Sequence, residues 1–217
     1  PVGAIELSQE LAAGIIGARL VDVSGWSEAA AAIDEFMGVS PEAEAASGAA
    51  PASGTAVILF ADIVDSTALT ERLGDAAFRG KARELDASLR AVIRECSGTP
   101  VEGKLVGDGV LAVFTSARQA IDCALRCNGA GESVGLQLHL GIHAGDVIRE
   151  GNNVYGGAVN IAARISALSA PGEVLVSDTV RGLARTSAGV SFDDRSEHEL
   201  KGVGEPVRVW VVREGDA

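Results

Sequence analysis

Three clusters of residues in this 217-residue chain combine types and spacings that suit chemistry. The first is Leu59-Phe60-Ala61-Asp62-Ile63-Val64-Asp65-Ser66-Thr67, an apolar run that ends in an acid and is followed by small polar residues. Asp62 would close a buried strand, with its carboxylate fixed at the sheet edge. The amides of Val64, Asp65, Ser66 and Thr67 would open a helix whose first N–H groups lack intrahelical acceptors, which suits an anion. A carboxylate beside such a helix start fits a hard divalent cation that shares its oxygens with phosphate. The same segment also reads as a plain Asp or Ser helix cap.

The second cluster is Lys104-Leu105-Val106-Gly107-Asp108-Gly109. Gly-Asp-Gly makes a hairpin turn for backbone reasons alone, yet it also lifts an acid out of a sheet. Lys104 is one of three lysines in the chain and lies on an otherwise apolar stretch, where it must snorkel or find a partner. The third cluster is Asn152-Asn153-Val154-Tyr155-Gly156-Gly157-Ala158-Val159-Asn160-Ile161-Ala162-Ala163-Arg164. Asn160 and Arg164 stand four apart on one helical face, the rest of which is small, so both heads have room to reach a ligand. A solvated helix face with an exposed Arg is the plainer reading.

The elements that must carry these residues follow from periodicity. Val57–Phe60 reads as a strand buried on both faces. Ser66–Leu73 and Ala76–Cys96 read as helices, with Leu85, Leu89, Val92 and Cys96 on one stripe of the second. Val101–Val106 and Val110–Phe114 form a predicted hairpin, and Ser116–Cys127 a helix capped by Ser116. Leu136, Leu138, Leu140 and Ile142 alternate along a strand. Gly157–Leu168 is a helix, Glu173–Val176 a strand and Asp178–Leu183 a short helix. Val190–Phe192 and Val207–Val212 close the chain as strands. The fold class is α/β in the sense of an α+β sandwich, a mostly antiparallel central sheet covered by helices. Upstream, residues 1–40 read as a small N-terminal segment, 41–54 as an Ala/Ser/Pro/Gly linker, and 55–213 as the main domain.

Composition narrows the partners. The net charge is −12; residues 1–50 carry −7 of it and residues 51–217 carry −5. Such a balance argues against a nucleic-acid polymer and against anionic lipid as partners. The longest strongly apolar run near the chain middle, Ala56–Ala61, is far short of the ~20 residues a spanning helix needs. Three cysteines without a CxxC point to a reducing, cytoplasmic setting. Cys123 and Cys127 share a helix face and read as small buried residues. His139 and His143 share a strand face about 13 Å apart and cannot hold one Zn²⁺ together. No G-x-x-x-x-G-K-[ST] phosphate loop occurs.

Taken in register, the motifs resemble one family. Phe60–Thr67, Lys104 four residues before Asp108, Gly141-Ile142-His143-Ala144-Gly145 and Val159-Asn160-Ile161-Ala162-Ala163-Arg164 stand in the order and spacing of class III nucleotidyl cyclases. The resemblance covers about residues 55–213, including Gly172–Ser177 and Leu200-Lys201-Gly202-Val203. It implies a ferredoxin-like, palm-like βαββαβ core and conversion of a nucleoside triphosphate into its 3′,5′-cyclic monophosphate and pyrophosphate. It also implies two Mg²⁺ or Mn²⁺ ions per site, held by Asp62, Asp108 and the backbone carbonyl of Ile63. Lys104 and Asn153 would read the base, Asn160 would orient the ribose, and Arg164 would neutralise charge on the transferring phosphate. The family places its sites between two head-to-tail chains, so a homodimer is the expected catalytic unit.

Asn153 departs from the pattern, since many adenylyl cyclases carry Asp there. Lys104 can donate to adenine N1 while the Asn153 carbonyl accepts from N6, so ATP is expected over GTP. A guanylyl cyclase, or a nucleotide-binding regulatory module with little turnover, remains the alternative. Residues 5–38 weakly resemble the C-terminal end of an α/β-hydrolase domain, although no G-x-S-x-G elbow is present.

Overall fold

The computed structural model describes residues 52–101, 109–187 and 189–214. Lys104 and Asp108 lie outside the described residues, as do the segments expected within residues 1–51.

The apolar run at 56–61 forms the middle of strand β1 (Ala52–Ile63). Its residues alternate between two cores. Val57, Leu59, Ala61 and Ile63 face one cluster, and Ala56, Ile58 and Phe60 face another. Burial of both faces explains why the run shows no polar alternation. Helices α1 (Ser66–Leu73) and α2 (Asp75–Glu95) follow. On α2 the buried stripe is Phe78, Leu85, Leu89 and Ile93. Val92, expected on that stripe, is only half-buried, and Ile93 takes its place.

The chain then forms β2 (Thr99–Pro100) and β3 (Val110–Phe114). The first strand of the expected hairpin therefore starts two residues early, and Val101 donates to the Leu111 carbonyl at 2.8 Å. Helix α3 (Ala117–Val134) is capped by Ser116, whose Oγ accepts from the Gln119 amide. Strand β4 (Leu138–Glu150) and the short β5 (Asn153–Tyr155) form a ribbon. After them come α4 (Gly157–Leu168), β6 (Val174–Ser177), α5 (Asp178–Ala184), β7 (Val190–His198) and β8 (Val207–Glu214).

The sheet runs β2-β3-β1-β4-β6-β8-β7, with β5 beside β4. Its first four strands pair antiparallel in the order of a ferredoxin-like βαββαβ unit. Only β4 and β6 run parallel, joined through β5 and α4. The antiparallel α+β sandwich expected from periodicity is thus the observed architecture. One core lies between the sheet and α2, α3 and α5; the other lies under α4. Among the described residues no helix is long and apolar enough to cross a membrane.

Candidate active site

Asp62 is the last residue but one of β1 and sits opposite His139 of β4. By strand alternation it continues the Ala56-Ile58-Phe60 face, the side of the sheet that α4 covers. The side chain is half-buried, and Oδ1 accepts from the next amide, Ile63 N–H, at 3.1 Å. The chain entering β3 passes directly against this carboxylate. A β-carbon on Gly109 would stand 2.9 Å from the Ala61 carbonyl and 3.2 Å from Asp62 Oδ1. Only glycine fits there without displacement, and Gly109 is the residue after Asp108.

The donor set suits a hard cation, since a carboxylate on a rigid strand end supplies oxygen rather than thiolate or imidazole. Among the described residues no group of three or more His, Cys, Asp or Glu side chains is placed to hold a metal. Asp108, the second carboxylate that the sequence offers, lies outside the described residues.

One correction applies to the expected anion cradle. The Val64 amide donates to the Gln137 carbonyl at 3.0 Å and so offers no free N–H. This bond ties the loop after β1 to the loop before β4. The turn into α1 is made by Asp65, which adopts a left-handed conformation with φ 49° and ψ 39°. Asp and Asn tolerate that region better than other non-glycine residues. The Asp65 side chain makes no cap hydrogen bond to α1, so the first amides of this helix depend on other acceptors.

Asn160 and Arg164 project from the exposed face of α4, four residues apart. The opposite face buries Ala158, Val159, Ala162, Ile165 and Ser166. Neither Asn160 nor Arg164 forms a side-chain hydrogen bond or ion pair among the described residues. Asn153 is half-buried at the start of β5, opposite Glu150. The structure thus groups Asp62 with Gly109, and places Asn160 and Arg164 on a face of α4 that is exposed among the described residues.

The small residues of β4 and α4 account for the helix's close seat. A β-carbon on Gly141 would lie 2.2 Å from the Ser166 amide nitrogen and 2.7 Å from the Ala162 carbonyl. A polar staple forms where helix and strand touch. Ser166 Oγ donates to the His139 carbonyl (3.0 Å), and the Leu140 amide donates to Ser169 Oγ (3.0 Å). His139 Nδ1 donates to the Ser169 carbonyl (2.7 Å). Sequence reasoning misses these contacts; the one available signal is two buried serines, Ser166 in the last turn of α4 and Ser169 at its C-cap. His143 Nδ1 hydrogen-bonds Ser177 Oγ at 2.9 Å, and burial lowers the imidazole pKa. Both histidines therefore serve packing, as their separation suggested.

The three cysteines are buried between α2 and α3. Cys123 and Cys127 Sγ atoms are 3.8 Å apart, and Cys96 donates to Asp122 at 3.5 Å. Burial pushes the Cys96 thiol up to about 12, so it holds its proton.

Comparison with known proteins agrees with this architecture. The family model for the adenylate and guanylate cyclase catalytic domain matches residues 49–213. The pH-sensitive adenylate cyclase MT1302 of Mycobacterium tuberculosis (strain CDC 1551 / Oshkosh) is 27% identical over 171 residues, covering 76% of this chain and 42% of that protein. The chain spans between about a fifth and a little over half of the length of the curated relatives it matches. The structure of an adenylate/guanylate cyclase/hydrolase from Silicibacter pomeroyi aligns with TM-score 0.63 and 32% identity, covering 76% of this chain and 99% of that one. The adenylyl cyclase CyaB from P. aeruginosa shares the fold with TM-score 0.69 at 19% identity, over 77% and 98% of the two chains. With a family model covering three quarters of its length, the chain belongs to the adenylate and guanylate cyclase catalytic domain family.

Proposed function

We propose that the chain is an adenylyl cyclase that converts ATP into 3′,5′-cyclic AMP and pyrophosphate at sites formed by two head-to-tail copies. The observation that carries this reading is the exposed placement of Asn160 and Arg164 on α4, where neither side chain has a hydrogen-bond or ion-pair partner among the described residues. Side chains of that kind are available to complete a site whose acidic half, around Asp62, belongs to a second copy.

In that reaction the ATP 3′-oxygen forms a bond to the α-phosphorus. The bond from that phosphorus to the bridging oxygen of the β-phosphate breaks, pyrophosphate departs, and the hydroxyl proton passes to solvent. Asp62, the Ile63 carbonyl and Asp108 are the residues to hold Mg²⁺ or Mn²⁺. When bound, the ions supply Lewis-acid polarisation of the reacting oxygens and screening of the triphosphate. The amides of Asp65, Ser66 and Thr67 receive phosphate oxygens. From the other copy, Arg164 offsets charge as it builds on the transferring phosphoryl group. Asn160 holds the ribose so that the 3′-oxygen stays in line. Lys104 and Asn153 read the adenine edge, Lys104 donating to N1 and the Asn153 carbonyl accepting from N6. The catalytic domain expected over residues 55–213 reaches back into the expected 41–54 linker, since strand β1 already starts at Ala52, and a cytoplasmic setting matches the free cysteines.

The test is incubation of the purified chain with Mn²⁺ and either ATP or GTP, with chromatographic resolution of products. Cyclic AMP at a kcat/KM several-fold above that for cyclic GMP supports the assignment. A reversed ratio makes the chain a guanylyl cyclase, and tight ATP binding without product makes it a binding module.

A further inference from the structure

Two glycines of β4 lie directly beneath α4, at the points where its buried face meets the sheet. At Gly141 an added β-carbon would come within 2.2 Å of the Ser166 nitrogen, 2.6 Å of the Ser166 α-carbon and 2.7 Å of the Ala162 carbonyl. All of these obstacles are helix backbone, so nothing short of moving the helix makes room. At Gly145, one turn toward the helix start, the obstacle is a single methyl, the Ala158 β-carbon at 3.0 Å. The serine and histidine staple, Ser166 to His139 and His139 to Ser169, can form only at this close approach. Arg164 sits between the two backbone contacts, Ala162 and Ser166, and Asn160 sits between Ala158 and Ala162. The depth of α4 on the sheet therefore sets how far both side chains project.

We propose that Gly141 and Gly145 are positioning residues: they fix the height of α4 above β4 and, through it, the placement of Asn160 and Arg164. The proposal rests on the cyclase reading above and assigns to these glycines an effect on turnover beyond their effect on folding. Neither glycine has a positive φ, so space and not backbone conformation is what they supply. A displacement of about 1 Å in a group that must meet the transition state costs on the order of 100-fold in rate.

The experiment uses the full chain. Gly145→Ala should lower kcat about tenfold with KM for ATP nearly unchanged, and Gly145→Ala/Ala158→Gly should recover most of it, because the only close obstacle has been removed. Ala158→Gly alone is the control. Gly141→Ala should lose about 100-fold. Its activity should return when it is mixed with Asp62→Ala, since one site of the mixed dimer then pairs an intact acidic half with an unshifted α4. Mixing it with Arg164→Ala should restore nothing, because both copies of α4 are then defective. A Gly145→Ala defect that Ala158→Gly fails to relieve overturns the proposal, as does full activity in Gly141→Ala. The pair Asp62→Ala with Arg164→Ala separates the two levels of inference. If that pair stays inactive, the two-chain site is wrong and the glycines are judged by the Ala158→Gly rescue alone. If the unmutated chain makes no cyclic nucleotide, the cyclase reading itself fails.

Discussion

Gly109 lies against Asp62 so closely that a β-carbon would stand 3.2 Å from the carboxylate oxygen Oδ1. The second obstacle, the Ala61 carbonyl at 2.9 Å, is strand backbone and cannot yield without disturbing β1. Gly109→Ala should therefore push the Asp62 carboxylate out of place. The expected outcome is a kcat lower by about tenfold and a higher Mn²⁺ concentration for half-maximal rate. Metal titrations of the two proteins, read by product formation, check this; an unchanged metal dependence would show that the contact is only packing.

Arg164 is exposed and has no ion-pair partner among the described residues, so its loss should spare the fold. Arg164→Ala should melt with a stability change of about 0.5 kcal/mol or less. Its kcat should fall by about 100- to 1,000-fold, the usual cost of removing one group that stabilises transition-state charge. Lysine in its place should restore part of the rate, because charge is kept while the planar fork is lost.

Burial holds His143 neutral by lowering its pKa in the folded chain. The unfolded chain binds this proton at about pH 6.5 and the native chain resists it, so stability rises with pH through this window. The contribution is fully present above about pH 6.5 and is lost as pH falls from there toward the depressed folded value. Urea midpoints measured from pH 8 to pH 5 should drop on the acid side. His143→Gln should flatten that limb, since an amide cannot titrate; an equally steep limb in the variant would assign the effect to another group.

The native thiols should be inert. Cys96 is pushed up to about 12 by burial, and Cys123 is raised chiefly by its hydrogen bond with Cys127. Thiolate is the reactive form and all three side chains are buried, so an aromatic disulfide reagent at pH 8 should label none of the three cysteines within minutes. Unfolding in urea should release all three together. Fast labelling of even one thiol in the native protein would contradict the buried arrangement.

Periodicity worked best where one face of an element is apolar and buried. Helix α4 is the example: it begins and ends at Gly157–Leu168 as expected and buries Ala158, Val159, Ala162 and Ile165 on one face. Helix α1 also matches, at Ser66–Leu73, although none of its residues is fully buried. It failed at strands stabilised by something other than burial. Strand β7 was expected only over Val190–Phe192, yet it continues to His198 through polar residues. Cross-strand pairs hold that extension, Asp193 with Arg213 and Asp194 with Arg208, and such pairs carry no apolar signature. Similarly, β1 extends back to Ala52 because β4 is long enough to pair with it as far as Arg149. The placement of Asp62 at the end of β1, and of Asn160 and Arg164 four apart on α4, follows from the apolar residues that frame each element. The loss of the Val64 amide to Gln137 was not readable, since the two residues are 73 positions apart and meet only in the fold. Gly141 and Gly145 are visible as a motif, but their close contacts with Ala162, Ser166 and Ala158 of α4 exist only in the fold.

Cyclisation of ATP at a site that depends on Asp62 is tested most directly by product stoichiometry. With Mn²⁺ and ATP, at protein concentrations that favour dimers, the chain should release 3′,5′-cyclic AMP and pyrophosphate in equal amounts, and Asp62→Ala should release neither. Formation of ADP and inorganic phosphate in place of cyclic AMP, or full cyclic AMP production by Asp62→Ala, would contradict it.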